Sequence, residues 1–437
     1  MRRLAYLVSQ YPAVSHTFIL REVRGLRALG SDVRVASVNS PDRPDEHLTT
    51  EEREEAARTF FVKRAGAARV LRAHLSTLWR DPRGWLRGLR CALDVGTDAR
   101  RLLWGLFYFG EAVVVSDWMR REGLGHLHVH FGTAASTVAL VASRVAPVTL
   151  SMTVHGPDEF YDAPGYRLEE KIEACDFVAC IGTYARSQVM KLSSPSQWSK
   201  FEVSPLGVDP DLFVPPPPHA ADGRFEVLCV GRLVPAKGQH VLLAAVERMA
   251  RRGVPVLLRV AGDGPDRASL EGFVDAHGLR DHVVFEGAVN QDRVREFYAR
   301  ADAFALASFA EGIPVVLMEA MSMGIPCVST CITGIPELIR DGIDGLLVPA
   351  SDDEALADAL ERLASDRELR RGLGASARLR VRAKYDLGRN THRLAEIYAR
   401  RLDGDGVTRL PDPVRDEPTV SNGCLTVAKE VTTRKAA

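Results

Sequence analysis

Short runs of β-branched and apolar residues, separated by longer stretches of helical pattern, recur along the whole chain. This rhythm restricts the fold more than any other feature. In the first half the runs are LAYLV (4–8), VRVASV (33–38), HLHVHF (126–131), VTLSMTV (148–154), FVACI (177–181) and FEVSPL (201–206). In the second half they are FEVLCVG (225–231), VLLRVAG (256–262), VVFEG (283–287), AFALAS (303–308), PCVST (326–330) and GLLVP (345–349). Segments such as GQHVLLAAVERMARRG (238–253) fill the intervals with helical periodicity. Strand and helix in alternation imply parallel sheets covered on both faces. Two such blocks imply an α/β protein of two doubly wound domains, and 437 residues suffice for both. The break falls at FVPPPPHAADGR (213–224), where four consecutive prolines favour an extended connector. The expected division is an N-terminal domain over 1–214, a linker over 215–223 and a C-terminal domain over 224–384. The polar, aperiodic stretch 410–437 is expected to be disordered.

Charge argues against one class of partner, a local basic patch aside. Lys plus Arg and Asp plus Glu are 57 each, so no global field draws the chain to nucleic acid. Seven cysteines form no CxxC pair, and several lie in apolar runs, which fits buried free thiols in a reducing cytosol. Met1-Arg2-Arg3 is followed only by LAYLV, too short for a signal-peptide core. The most apolar stretch, Leu102 to Met119, carries Glu111 and Asp117, so no membrane span is expected. A cytoplasmic protein follows, with one reservation. Residues 58–101 hold eleven Lys and Arg against Asp81, Asp94 and Asp98, and Trp79, Trp85 and Trp104 lie in or just after them. Cationic helices with interfacial tryptophans suit the anionic inner face of a membrane, although a solvated helical insertion explains them equally well.

Ligands of open parallel sheets sit beyond the carboxyl ends of strands, so the residues just after strands carry the candidate chemistry. FAEGIPVVLMEAMSMGIPCVST (309–330) places Glu311 in the loop after one strand and Glu319 inside the following helix. Pro314 suits the first helical position, so a helix is predicted from about Pro314 to Met323, ending at Gly324. On one helix the two carboxylates would lie about 12 Å apart along the axis. A Glu311 set before the helix bends towards the same ligand, and the free N–H groups of the first turn favour an anion beside it. The glutamates would then hold sugar hydroxyls while amides and cations hold phosphate. Alternatively, Glu311 caps the helix and Glu319 is solvated. GRLVPAKGQH (231–240) offers Gly231 for close backbone approach, Arg232 as a planar phosphate fork and Lys237 as a point charge; two cations in a solvated loop are the plain alternative.

VAGDGP (260–265) reads as a structural turn, since it lacks the full dinucleotide fingerprint. TVHGPDEF (153–160) puts His155 at a strand end beside Gly156, where it would meet a sugar or serve structure alone. After the first strand, SQYPAVSHTFILREV (9–23) has no glycine cradle, and Ser15, His16 and Thr17 could face acceptor or donor, although capping the following helix is the expected role. Neither an Asp-x-Asp triplet nor a His/Cys cluster marks a metal site.

Taken together, GRL with KG, EGIPVVLMEAM and PCVSTCITGIPELI resemble the retaining GT-B glycosyltransferases of family 4. Glu311 and Glu319 match that family's E-x7-E motif, and the Gly-Val-Asp of PLGVDPDLF (205–213) and the strand-end His-Gly match as well. YP..S.TFI..EV..LR..G and HLHVHFG are similar to the bacterial exopolysaccharide, colanic-acid-type branch. The resemblance spans residues 4–400.

It implies two Rossmann-like domains and a nucleotide-diphosphate sugar held mainly by the second. Arg232 and Lys237 would hold the diphosphate, Glu319 the ribose hydroxyls and Glu311 the donor sugar, with Gly231, Gly312, Ile313 and Val315 also against the donor. His155 would touch the donor sugar from the acceptor domain, GAVNQDRV (287–294) would lie near the base, and the helix over 385–402 would cross back to the first domain. Relatives often have glycine where Pro314 stands, and paired glycines in the first loop; this chain has neither.

The expected activity is therefore metal-independent, retaining transfer of a hexose-type sugar to a saccharide or lipid-linked saccharide, with no cofactor. The rival readings are a sugar-nucleotide epimerase of the same plan and a nucleotide-sugar-binding protein without catalysis.

Overall fold

The computed structural model describes residues 3–94, 99–215 and 223–402. Residues 216–222 of the Pro-rich connector and the polar tail 410–437 lie outside that range. The chain forms two compact units, one running to Ser204 and resumed from Thr391, the other over Pro205–Asn390.

The first unit holds a parallel sheet of β1 (Arg3–Gln10), β2 (Asp32–Asn39), β3 (Phe60–Phe61), β4 (His126–His130), β5 (Thr149–Val154), β6 (Phe177–Cys180) and β7 (Phe201–Val203). Its spatial order is β3-β2-β1-β4-β5-β6-β7. The second holds β8 (Phe225–Val230), β9 (Val256–Ala261), β10 (Val283–Gly287), β11 (Ala303–Leu306), β12 (Cys327–Thr330) and β13 (Leu346–Val348), in the order β10-β9-β8-β11-β12-β13. Every strand but β3 coincides with a run read from the sequence. A two-residue edge strand carries too little alternation to be seen that way.

Side-chain alternation along β1 shows why both faces are covered. Ala5 and Leu7 enter a core with Phe109, Trp118 and Leu140, while Leu4, Tyr6 and Val8 enter a second core with Ile19, Val23 and Tyr398. That second core is completed from the far end of the chain. The helix Leu387–Leu402 brings Leu394, Ile397 and Tyr398, spaced to share one face, and the Tyr398 hydroxyl lies 2.8 Å from that of Tyr6.

Helix Arg100–Glu122 is long and apolar enough to cross a membrane by length and composition. Phe109, Ala112 to Val115, Trp118 and Met119 on it are buried in the first unit, which makes it a core helix.

Residues 205–214, assigned from sequence to the first domain, pack with the second unit. Val208 N–H donates to Tyr385 O at 2.9 Å and Leu387 N–H returns a bond to Val208 O at 3.0 Å. A Cβ on Gly207 would fall 2.6 Å from Leu387 Cα, so this glycine lets the two segments touch. Arg378 ties Phe213 O to the same unit at 2.9 Å. Cys91, Cys175, Cys180, Cys229 and Cys327 are buried thiols, as expected.

Candidate active site

The residues singled out from the sequence fall into one group in each unit. In the second unit the strand order reverses at β8, which lies between β9 and β11. The loops that follow β8 and β11 therefore emerge side by side, the place where such sheets take ligands. Backbone contacts lock them together. Phe309 N–H donates to Ala236 O at 2.8 Å, and Gly238, at φ +60°, comes so near that a Cβ would lie 2.1 Å from Ala307 O. Only glycine fits both the space and the left-handed backbone.

This bracing brings Lys237 to Glu311: Nζ donates to Oε1 at 2.5 Å, and Ser308 Oγ donates to the same oxygen at 2.7 Å. Thr333 Oγ1 holds the Glu311 carbonyl. Arg232 is exposed, and its guanidinium makes no ion pair among the described residues. Its carbonyl accepts from Gln239 Nε2 at 2.8 Å, which fixes the backbone at that point. A side chain at Gly231 would meet nothing within 4 Å, leaving open space beside the loop.

The VAGDGP turn is structural: at Gly262 a Cβ would fall 1.8 Å from Gly231 O. The helix after the β11 loop runs over Val315–Ser322, and Pro314 is its N-cap with an extended backbone, not its first residue. No side chain caps this helix, so Glu311 does not serve as a cap. The first-turn N–H groups of Val315 and Val316 have no intrahelical partner by construction, and both residues are half-buried beside half-buried Gly312 and buried Ile313. A Cβ on Gly334 would lie 2.2 Å from Gly312 O, which pins that loop against the helix following β12. Glu319 is buried, not solvated. Tyr298 Oη and Gln291 Nε2 each donate to its carboxylate at 3.3 Å. Gln291 belongs to the GAVNQDRV segment.

In the first unit His155 follows β5 and is buried. The backbone N–H groups of His155 and Gly156 donate to Glu159 Oε2 at 2.5 and 2.9 Å, and Gly132 N–H donates to Oε1. One carboxylate thus ties the ends of β4 and β5 together. Burial pushes Glu159 up to about 7, against the pull of these donors and of Lys171. Lys171 Nζ donates to the carbonyls of Gly132 and Thr133 at 2.9 and 2.8 Å, and burial brings it down to about 7. Phe131 adopts φ +68° between them, a strained backbone for a bulky residue, and its ring centroid lies 4.4 Å from that of His155.

Behind His155 lies a ladder that the sequence reading missed. Alternate residues of β4 face alternate residues of β5. His126 bonds Thr149 and Ser151, His128 bonds Ser151 and Thr153, and His130 Nδ1 lies 3.0 Å from His155 Nε2. The signal was present as H-x-H-x-H beside T-x-S-x-T-x-H, both with the two-residue period of a strand. His130 Nε2 lies 3.3 Å from Glu22 Oε1, within ion-pair range but not aligned as a hydrogen bond. Glu22 accepts from the Tyr6 hydroxyl at 2.8 Å. Ligand atoms of Glu22, His128 and His130 lie within 4.8 Å of one another, a spacing open to a metal ion. His128, however, already spends both ring nitrogens on Ser151 and Thr153. His155 Nδ1 is buried with no hydrogen-bond partner among the described residues.

At the first loop, helix Thr17–Ala28 starts from His16 without a side-chain cap, contrary to the capping expected there. The His16 ring instead lies 5.0 Å from that of Phe131.

Comparisons with known proteins agree with this layout. The model of the family described as glycosyl transferases group 1 matches residues 215–380. A putative colanic acid biosynthesis glycosyltransferase WcaL of Escherichia coli is 27% identical over 385 residues, covering 82% of this chain and 89% of the relative. A GDP-mannose-dependent phosphatidylinositol monomannoside mannosyltransferase of Mycobacterium tuberculosis is 31% identical over 302 residues, covering 64% of this chain and 77% of the relative. Among solved structures, Anabaena HepE in complex with UDP and glucose superposes with a TM-score of 0.70 at 16% identity, covering 91% of this chain and all of the other. The two parallel-sheet units are those of the GT-B fold, and the chain belongs to the glycosyl transferases group 1.

Proposed function

We propose that the protein is a retaining, metal-independent glycosyltransferase of polysaccharide or glycoconjugate synthesis. It moves a hexose-type sugar from a nucleotide-diphosphate donor to a saccharide or lipid-linked saccharide. The observation that carries this reading is the Lys237–Glu311 pair, braced on the adjacent loops after β8 and β11, with Arg232 on the first of these loops and making no ion pair among the described residues. As the bond from the sugar C1 to the diphosphate oxygen breaks, negative charge grows on the leaving group. Arg232, Lys237 and the N–H groups of Val315 and Val316 are the groups suited to meet it. The acceptor oxygen bonds to C1 on the face the diphosphate leaves, and its proton passes to a leaving phosphate oxygen. A carboxylate already bonded to an ammonium and a hydroxyl is a poor nucleophile, so Glu311 positions the sugar and keeps Lys237 in place. Glu319, aligned by Tyr298 and Gln291, holds ribose hydroxyls. The orphaned His155 Nδ1 takes a sugar hydroxyl, since a buried ring nitrogen without a partner is costly.

The test is a donor panel that includes UDP- and GDP-sugars, with release of nucleotide diphosphate followed in the presence and absence of saccharide acceptors. Acceptor-dependent release that keeps the anomeric configuration is expected, and it should survive excess EDTA. An altered sugar without transfer would mark an epimerase. Binding without turnover would mark a non-catalytic protein. Activity abolished by EDTA and restored by Mg²⁺ or Mn²⁺ would refute the cation-based account of the leaving group.

A further inference from the structure

Ten of the nineteen exposed large apolar side chains among the described residues fall between positions 71 and 107. They lie on three consecutive helices of the first unit, Ala67–Arg80, Pro82–Leu93 and Ala99–Glu122, which pack on one another. On the first helix Leu71, Leu75, Leu78 and Trp79 recur at the spacing of a single stripe, and Trp79 is 83% exposed. The second adds Leu86 and Leu93, and the third adds Leu103, Trp104, Leu106 and Phe107.

The inner faces of the same helices are firmly seated. Ala73, Cys91, Ala92 and Phe109 are buried in the core, and a Cβ on Gly88 would fall 2.3 Å from Val145 Cγ2. Trp85, grouped with the interfacial tryptophans from the sequence, faces inward. Its Nε1 donates to His74 Nδ1 at 3.1 Å and its ring meets Phe109 edge-on. The outward apolar residues are therefore a surplus over what the core needs, on a rigid support. Scattered exposed apolar residues are ordinary, but this many on adjoining helices marks an interaction surface.

Charge selects the occupant. Arg72, Arg80, Arg83, Arg90 and Arg100 are exposed on these helices and make no ion pair among the described residues. A symmetric contact with a second copy would set these arginines against themselves. An anionic bilayer accepts both components, the leucines and tryptophans at the boundary of headgroups and acyl chains and the guanidiniums on lipid phosphates. We propose that this face docks the protein reversibly on an anionic membrane surface. The proposal is independent of the sugar-transfer chemistry, because its readout is binding alone.

The experiment is flotation of the full chain with vesicles of phosphatidylcholine, with and without phosphatidylglycerol, at low and high salt. The protein is expected to float with the anionic vesicles at low salt and to be released at high salt, since screening removes the attraction between charges. Two double variants test the two components, Leu75→Ser with Trp79→Ser, and Arg72→Glu with Arg83→Glu. Each is expected to weaken binding about tenfold or more. Unchanged circular dichroism and unchanged donor turnover would confirm that both remain folded, because none of these residues lies in the catalytic group. Equal recovery in the supernatant with and without phosphatidylglycerol at low salt would overturn the proposal. So would undiminished binding of both variants, or light scattering that shows a dimer which the same variants dissolve.

Discussion

Lys237→Ala and Arg232→Ala are each expected to lower turnover at saturating donor by about 10²–10³, the range found when one preorganised charge stabiliser is lost. The attraction of each cation for the diphosphate rises as the glycosidic bond breaks, so each contributes more to the transition state than to donor binding. Donor affinity should fall less than turnover. The double variant should cost less than the sum of the single ones, because both cations act on one group. Lys237→Ala carries a further consequence. It strips Glu311 of its ammonium partner at a position where the carboxylate is largely buried. Lys237→Arg keeps the charge and should recover part of the loss. Glu319→Ala should mainly weaken donor binding, given its place between Tyr298 and Gln291. Turnover and donor dissociation constants for these variants decide the matter. Unchanged turnover in both cation variants would make Arg232 and Lys237 surface charges.

Acid should unfold the first unit well before the second. Burial lowers His126 to about 4, and burial with the neighbouring histidines lowers His128 and His155 well below their ordinary value. Tyr6, Glu22, His130 and Tyr398 line the same cluster. The sign follows from proton counts. Between pH 6.5 and about 4 the unfolded chain binds a proton on His126 and the folded chain does not, and His128 and His155 act in the same direction, so stability is present above pH 6.5 and is lost as pH falls. Each ring held neutral contributes a slope of about 1.4 kcal/mol per pH unit, and Glu159, raised to about 7, opposes one of them because the folded chain protonates it first, so the three histidines together still leave a net loss of stability in acid. All five tryptophans, at positions 79, 85, 104, 118 and 198, belong to the first unit, so their fluorescence reports on that unit alone. Denaturant midpoints from tryptophan emission at pH 7.5 and pH 5 should differ sharply. His126→Gln should flatten the dependence by about 1.4 kcal/mol per pH unit. Equal midpoints at the two pH values would show that the ring ladder is not held neutral.

Local pattern was enough for the strands and for the candidates Arg232, Lys237, Glu311, Glu319 and His155, because a strand end followed by a loop or helix start can be read within a few residues. What they touch could not be read that way. Lys237 and Glu311 are 74 positions apart, and their contact follows from the placing of β8 beside β11, a matter of strand order that no local periodicity encodes. Tyr298 beneath Glu319 lies 21 residues away on another helix and looks, from sequence, like any apolar-face tyrosine. The boundary was misplaced for a related reason. Four prolines mark a break in the chain, but Val208 pairs beyond Tyr385, and that pairing decides which unit residues 205–214 join. Pro314 was read as the first helical residue because that position favours proline; its ψ of 121° places it one residue earlier, at the N-cap.

The tyrosine pair that joins β1 to the last helix has a consequence for synthesis on the ribosome. Leu4 and Tyr6 are made long before Leu394, Ile397 and Tyr398, and the core around them is incomplete until those three arrive. The whole of the second unit is translated between Ser204 and Thr391. At ordinary elongation speeds the nascent first unit waits roughly 10–40 s for its missing wall, with the apolar side chains of that wall site open to solvent. The unit that emerges first is therefore the one finished last, and the second can reach its native state while the first is still waiting. Premature termination between Asn390 and Leu394 would leave the second unit whole and the N-terminal unit as the damaged part of the molecule.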